Sequence, residues 1–245
     1  MITKNQIKYI KDLSKKAFRI QEQKFVIEGE KLVQELLLSQ VDVTEIFAID
    51  AWAENHPNVK VTRITDKELN RISNLKTPNQ VLAILPIFED DLDDDPDNGL
   101  TLFLDRINDP GNLGTIIRMA DWFGVNKIIC TPQSVDVYNS KVIQSSMGSI
   151  FRVPVFYVDS SEFFQSYKKQ FPDNAIIGAA MEGEVLSETT LPENGLLVMG
   201  SESHGISKEI EIELTQTVTI PRMGFAESLN VAVATGIILW EWKRG

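Results

Sequence analysis

Apolar positions along the 245 residues change their period several times. Ile7, Ile10, Leu13 and Phe18 recur at helical spacing among lysines and predict a helix within 3–18. Residues 24–28, Lys-Phe-Val-Ile-Glu, then alternate as a short strand, and 30–39 return to the helical period. The stretches 43–49 and 59–64 alternate as strands, Thr65-Asp-Lys-Glu68 has the spacing of a capping box opening another helix, and 80–88 read as a strand. From Leu100 the alternation becomes regular. Strand-like runs at 100–105, 127–131, 153–158, 175–180, 195–200 and 217–220 are separated by helical stretches at about 112–124, 138–147, 160–170, 207–214 and 227–242. Strands joined by helical crossovers predict an α/β fold with a mainly parallel sheet, covered on both faces. In such sheets ligands bind beyond the carboxyl ends of the strands.

Between these two patterns lies Glu89-Asp-Asp-Leu-Asp-Asp-Asp-Pro-Asp-Asn-Gly99, where like charges, Pro and Gly break every period. The chain therefore divides into a small α/β unit at 1–88, an acidic linker at 89–99 and a larger α/β unit at 100–245. Acids in the linker are spaced in part like a calcium loop, but the glycine and distal glutamate of such a loop are missing, so no metal is expected. The net charge of −11 speaks against a nucleic-acid partner only if it is evenly spread. It is not: residues 1–86 carry 13 Lys/Arg against 11 Asp/Glu, residues 87–99 carry seven acids and no base, and residues 100–245 carry 11 against 17. Lys11, Lys15, Lys16 and Arg19 belong to a basic patch near the N-terminus that has the character of a phosphate-contacting surface, although a solvated helix face explains it equally well.

Apolar residues make up 43% and charged residues 24% of the chain, as in an ordinary globular protein. No apolar stretch of 18 residues is free of charge and the N-terminus lacks a signal-peptide pattern, so a cytoplasmic, membrane-independent protein is expected. Cys130 is the single cysteine, which excludes an internal disulfide, and its place in an apolar strand reads as a buried small residue.

Three stretches at predicted strand ends carry more polar chemistry than folding alone requires. Asp105-Arg-Ile-Asn-Asp-Pro-Gly-Asn-Leu-Gly-Thr-Ile-Ile-Arg118 leads from a strand through a Gly/Asn turn into a helix. Its Gly114 and Arg118 are four apart, so the guanidinium shares a helix face with a side-chain-free patch open to a ligand; pairing of Arg118 with Asp121 is the plain structural alternative. Met199-Gly-Ser-Glu-Ser-His-Gly-Ile-Ser207 ends another strand. It nearly matches a nucleophile elbow but lacks the first glycine, and the second histidine, His56, belongs to the other unit, so a hydrolase is a poorer reading. Glu202 is an acid placed where a strand end opens into a cleft. Ile220-Pro-Arg-Met-Gly-Phe-Ala-Glu-Ser-Leu-Asn230 joins a strand to a largely apolar helix, placing Ser228 and Asn230 at a helix N-terminus.

In this order, Asn-Asp-Pro-Gly-Asn-Leu-Gly-x-x-x-Arg, Gly-Ser-Glu-x-x-Gly and Ile-Pro-x-x-Gly-x-x-Glu-Ser-Leu-Asn-Val-x-Val-Ala resemble the three motifs of SpoU/TrmH-family RNA 2′-O-ribose methyltransferases, of the SPOUT superfamily. Residues 1–86 are similar to the ribosomal-protein-like RNA-binding domain often found ahead of that catalytic domain. The resemblance implies a C-terminal trefoil knot that holds S-adenosylmethionine, a homodimer, and a structured RNA substrate, ribosomal in preference to transfer RNA. It implies active-site roles for Asn112, Arg118, Glu202, Ser228 and Asn230, and cofactor contacts from Gly200, Ile220 and Leu229. Ser203-His204 and Arg222 depart from the family pattern. The family assigns Arg118 to activating the ribose oxygen, but a guanidinium with a pKa above about 12 is a poor base, so stabilisation of the developing alkoxide or phosphate positioning fits it better, with Glu202 orienting Arg118 or helping to receive the proton. The competing function is a non-catalytic RNA-binding protein that has kept the fold.

Overall fold

The computed structural model describes residues 2–89, 92 and 99–244. The acidic linker and its calcium-like spacing fall largely at 90–91 and 93–98, outside the described residues. Helix α1 (Lys4–Asp12) opens on a capping box between Thr3 and Gln6. The helix predicted within 3–18 is in fact two: the Ser14 hydroxyl donates to the Lys11 carbonyl, offering the backbone an alternative to the helical bond, and α2 (Lys16–Glu22) starts afresh. Strand β1 (Lys24–Glu28) and α3 (Glu30–Leu38) follow. Next come β2 (Glu45–Ala48), α4 (Asp50–Asn55), β3 (Thr62–Arg63), α5 (Asp66–Ile72) and β4 (Val81–Pro86). Thr65 and Glu68 form the predicted capping box at the start of α5. Helix α4 was not legible as a period, since only Trp52 and Ala53 of its six residues are buried. The predicted strand at 59–64 shrinks to β3, an edge strand held by two residue pairs to β2. These strands form one sheet in the order β1-β4-β2-β3.

The second sheet has six strands in the order β10-β8-β9-β5-β6-β7, and every neighbouring pair is parallel. Its elements in chain order begin with β5 (Leu100–Leu104), α6 (Pro110–Phe123), β6 (Lys127–Cys130) and α7 (Ser140–Ser146). They continue with β7 (Val155–Tyr157), α8 (Ser160–Gln170), β8 (Ala175–Val185) and β9 (Gly195–Met199). The last three are α9 (Lys208–Glu211), β10 (Gln216–Thr219) and α10 (Val231–Arg244). Strands β5, β6 and β9 are buried at every position, which is why they read as continuous apolar runs. Strand β8 outlasts its predicted end at 180, and its pairing with β10 jumps register between Thr217 and Val218. The final helix begins at Val231 and not at 227, because 221–230 stay exposed as a loop.

One apolar cluster joins Phe25, Leu36 and Trp52 beside the first sheet to Leu102, Leu113, Ile117 and Trp242 beside the second. Polar ties cross the same boundary: Gln144 donates to the Glu28 carbonyl at 2.8 Å, and Arg152 pairs with Glu35 at 2.9 Å. Among the described residues no helix is long and apolar enough to cross a membrane.

Helix α6 lies against α7 at Gly114, where an added Cβ would stand 2.5 Å from Ser145 Cβ and from the Val142 carbonyl oxygen. Gly114→Ala gains about 1 kcal/mol of helix propensity but overpacks the contact at a cost of about 1–3 kcal/mol. A lower melting temperature is therefore expected, and a raised one contradicts this packing.

Candidate active site

The site begins with a helix cap. Asp109 precedes Pro110, a proline at the first helical position, and its carboxylate accepts the Asn112 N–H at 2.9 Å. This N–H, with Lys141 nearby, holds the Asp109 carboxyl below its usual range. The backbone of Asn112 is thereby fixed in the first turn of α6, just past the carboxyl end of β5. Its side-chain amide reaches two other strand ends. Asn112 Nδ2 donates to Glu202, which follows β9, and Asn112 Oδ1 accepts from Asn230 Nδ2 at 2.9 Å, from the loop after β10. Asn230 Oδ1 in turn accepts the Ala232 and Val233 N–H groups at 3.0 and 3.2 Å, capping α10.

Three stretches far apart in sequence therefore meet on one edge of the sheet, through side chains whose donors and acceptors all match. Glu202 bonds Asn112 and not Arg118, so it does not orient Arg118 within the chain. Arg118 is exposed and makes no side-chain hydrogen bond or ion pair among the described residues. Its expected alternative partner, Asp121, pairs with Arg152 at 2.8 Å. Gly114 is not a patch open to a ligand, because α7 covers it.

Gly200 is required by backbone packing: a Cβ there would lie 2.1 Å from the Gly205 carbonyl carbon. The 201–205 turn folds back on itself, with Gly205 N–H donating to the Ser201 carbonyl at 2.8 Å. Ser203 and His204 are exposed within that turn, and His56 stacks on Trp52 in the other unit, so no hydrolase triad forms among the described residues. Ile220 is half-buried, Leu229 is 46% exposed, and Ser228 is exposed without a side-chain hydrogen bond among the described residues. Residues 222–229 make no backbone–backbone hydrogen bonds among the described residues, and Met223 and Phe225 are exposed. The unpaired amides of 222–229, with the apolar Ile220 before them and Leu229 among them, are chemically suited to a flat, polar-edged ring such as the adenine of S-adenosylmethionine.

Of the basic patch, Lys16 is exposed, Lys15 pairs with Asp12 at 2.7 Å, and Lys11 donates to the Ser73 carbonyl. Arg19 departs from the expected RNA contact. It is 5% exposed, donates to the Leu13 and Ser14 carbonyls, and pairs with Asp136 of the larger unit. Its charge is consumed inside the protein. The residue missed in the sequence is Asp109, although Asp-Pro ahead of an apolar period is a helix-start signature.

The fold and these contacts define an open parallel α/β protein with a polar ligand site at the carboxyl edge of its sheet. The chain belongs to the SpoU rRNA Methylase family, whose model matches residues 99–240, and residues 4–83 match the MRM3-like substrate binding domain. It is 30% identical to the Bacillus subtilis 23S rRNA (guanosine(2553)-2′-O)-methyltransferase RlmP across 98% of this chain and 97% of that protein. A TrmH-family protein from Porphyromonas gingivalis superimposes with a TM-score of 0.89 at 36% identity, covering 100% of this chain and 99% of the other. The SpoU methyltransferase AviRb from Streptomyces viridochromogenes, solved in complex with AdoMet, gives 0.88 at 25% identity over 99% and 98%.

Asp109→Ala removes the cap that fixes Asn112 and is expected to cost about 1 kcal/mol of stability, whereas Asp109→Asn keeps an acceptor and most of that stability. Because the folded carboxyl titrates below its ordinary range, the wild-type margin over Asp109→Ala is full above that range and is lost as pH falls through the folded value. Urea titrations of the three proteins at neutral and acid pH check this; a margin that grows on acidification contradicts it.

Proposed function

We infer that the protein transfers a methyl group from S-adenosylmethionine to a ribose 2′-hydroxyl of ribosomal RNA. The observation that carries this is the end-to-end similarity to RlmP, named as a 23S rRNA 2′-O-methyltransferase, in a chain whose Asn112, Glu202 and Asn230 side chains meet at the carboxyl edge of the sheet. Residues 1–88 are read as the RNA substrate-binding domain, 89–99 as the linker and 100–245 as the catalytic domain, working in the cytoplasm. The cofactor supplies an electrophilic methyl group when bound. Asn112 holds one Glu202 oxygen, leaving the other to accept a hydrogen bond from the 2′-hydroxyl, which orients it, and then to receive its proton. Arg118 supplies positive charge for the oxyanion that develops as the proton leaves, and Ser228 adds a hydrogen bond at the same edge. Lys11, Lys15 and Lys16 contact RNA phosphates.

The homodimer belongs to the same reading. Trp122 on α6 and Val233, Ile237 and Trp240 on α10 are 83%, 52%, 39% and 59% exposed on two packed helices, a larger apolar surface than scattered exposed residues create. Arg118 lies one turn before Trp122, so a second copy seated on this face also covers Arg118. The trefoil knot belongs to the same reading; β10 lies three strands away from β5, and the 220–230 loop returns to place Asn230 on Asn112.

Purified protein is expected to transfer labelled methyl from S-adenosylmethionine to ribosomal RNA from cells lacking it. Bound cofactor without transfer to that RNA contradicts the assigned reaction and favours an RNA-binding protein without catalysis. Arg118→Ala is expected to lower turnover by about a hundredfold or more with cofactor affinity retained; unchanged turnover removes Arg118 from the mechanism. Trp240→Glu is expected to convert a dimer to monomers in analytical ultracentrifugation, and a wild-type monomer contradicts the dimer.

A further inference from the structure

Arg106 stands at the junction of three loops at the carboxyl edge of the sheet. Its backbone N–H donates to Thr131 Oγ1, just past β6, at 2.9 Å. The preceding Asp105, 1% exposed, accepts the Ser207 N–H, beyond β9, at 2.8 Å and donates its own N–H to the Met199 carbonyl. These bonds force Arg106 to a φ of +55°, a left-handed conformation that suits glycine and is unfavourable for a long side chain. Among the described residues the side chain has one ion pair, with Asp105. Its Nε lies 3.2 Å from Asp105 Oδ1 but makes no hydrogen bond, and among the described residues neither terminal amino group has a partner. With the side chain 35% exposed, the free edge of the fork is open to solvent.

A residue held against its backbone preference, with the terminal edge of its fork free of partners among the described residues, is a candidate for a contact outside the chain. We propose that Arg106 is an RNA-binding residue of the reaction cleft, taking a backbone phosphate of the substrate strand in its guanidinium fork. The pairing follows from chemistry: a planar fork with two free terminal amino groups matches two oxygens of one phosphate. Asp105 is then a positioning residue, which steers the guanidinium through Nε and ties the loops after β5 and β9 together. This proposal rests on ribosomal RNA being the substrate.

Arg106→Gly separates the roles, because glycine accepts the left-handed backbone and removes only the side chain. The full-length wild type, Arg106→Gly and Arg106→Lys are compared by melting temperature, by S-adenosylmethionine affinity, and by binding to ribosomal RNA from cells lacking the protein across a salt series. Arg106→Gly is expected to melt at or above the wild-type temperature and bind the cofactor normally. Its RNA affinity is expected to fall about tenfold, with a log–log salt slope shallower by about 0.7–0.9. Arg106→Lys, which keeps charge without the fork, is expected to fall between the two. Wild-type RNA affinity and salt slope in Arg106→Gly overturn the proposal, as does a lowered melting temperature with weakened cofactor binding, which makes Arg106 a structural partner of Asp105. Absent methyl transfer with RNA binding that still depends on Arg106 contradicts only the assigned reaction; absent RNA binding by the wild type overturns both.

Discussion

The carboxyl edge of the larger sheet depends on one side-chain amide, that of Asn112. An amide has a donor end and an acceptor end, and here each end is dictated from outside: Glu202 takes the donor and Asn230 fills the acceptor. Asn230 cannot turn round, because its own oxygen is committed to two N–H groups at the start of α10. Orientation is thus passed from the α10 backbone to Asn230, to Asn112 and to Glu202. Each link sits at the end of a different strand, so only a sheet that places β9 beside β5 and returns the chain after β10 to α6 can assemble it. The cap of Asp109 on the Asn112 backbone N–H anchors the residue that carries this amide.

Rigidity of this edge has a counterpart at the junction of the two units. The core is continuous across it, and Arg19–Asp136, Arg152–Glu35 and Gln144 to the Glu28 carbonyl span it with charge and hydrogen bonds. Glu28 is also buried beneath the 73–75 segment, where its carboxylate accepts from the Ser73 hydroxyl and the Asn74 N–H. Helix α7, which carries Gln144, packs on α6 and hence behind Asn112. A surface of the smaller unit is in this way held at a fixed offset from the polar edge of the larger one, as presentation of a bulky structured substrate to one reacting atom requires.

Where burial is nearly complete, composition alone reveals the element, and β5, β6 and β9 were legible as apolar runs. The capping box at Thr65 was legible because both of its bonds are local. Elements stabilised by distant contacts were not: α4 forms around one buried tryptophan, and α1 separates from α2 through a serine that a helical period tolerates. In the site, residue types and strand ends pointed to Glu202 and Asn230 and the family resemblance to Asn112, but their partners lay 90 and 118 positions apart, beyond any local pattern. Arg19 was misread for the same reason, since its carboxylate partner lies 117 residues away. Gly114 shows that a glycine in a motif can serve close packing against a neighbouring helix and leave no room for a ligand, while Gly200 is required by the turn that it opens. Asp105 and Arg106 were invisible as a pair because only the loops after β6 and β9 reveal the backbone they are forced to adopt.

In the proposed function Asn112 is the centre of a site that methylates ribosomal RNA. The most direct measurement is a map of 2′-O-methyl groups on total RNA from cells with the protein, without it, and with Asn112→Ala in its place. A ribosomal RNA 2′-O-methyl group is expected to be present in the first cells and absent from the other two. An RNA map that is identical in all three contradicts it, and a methyl group that persists with Asn112→Ala but vanishes without the protein removes the amide from the centre of the site.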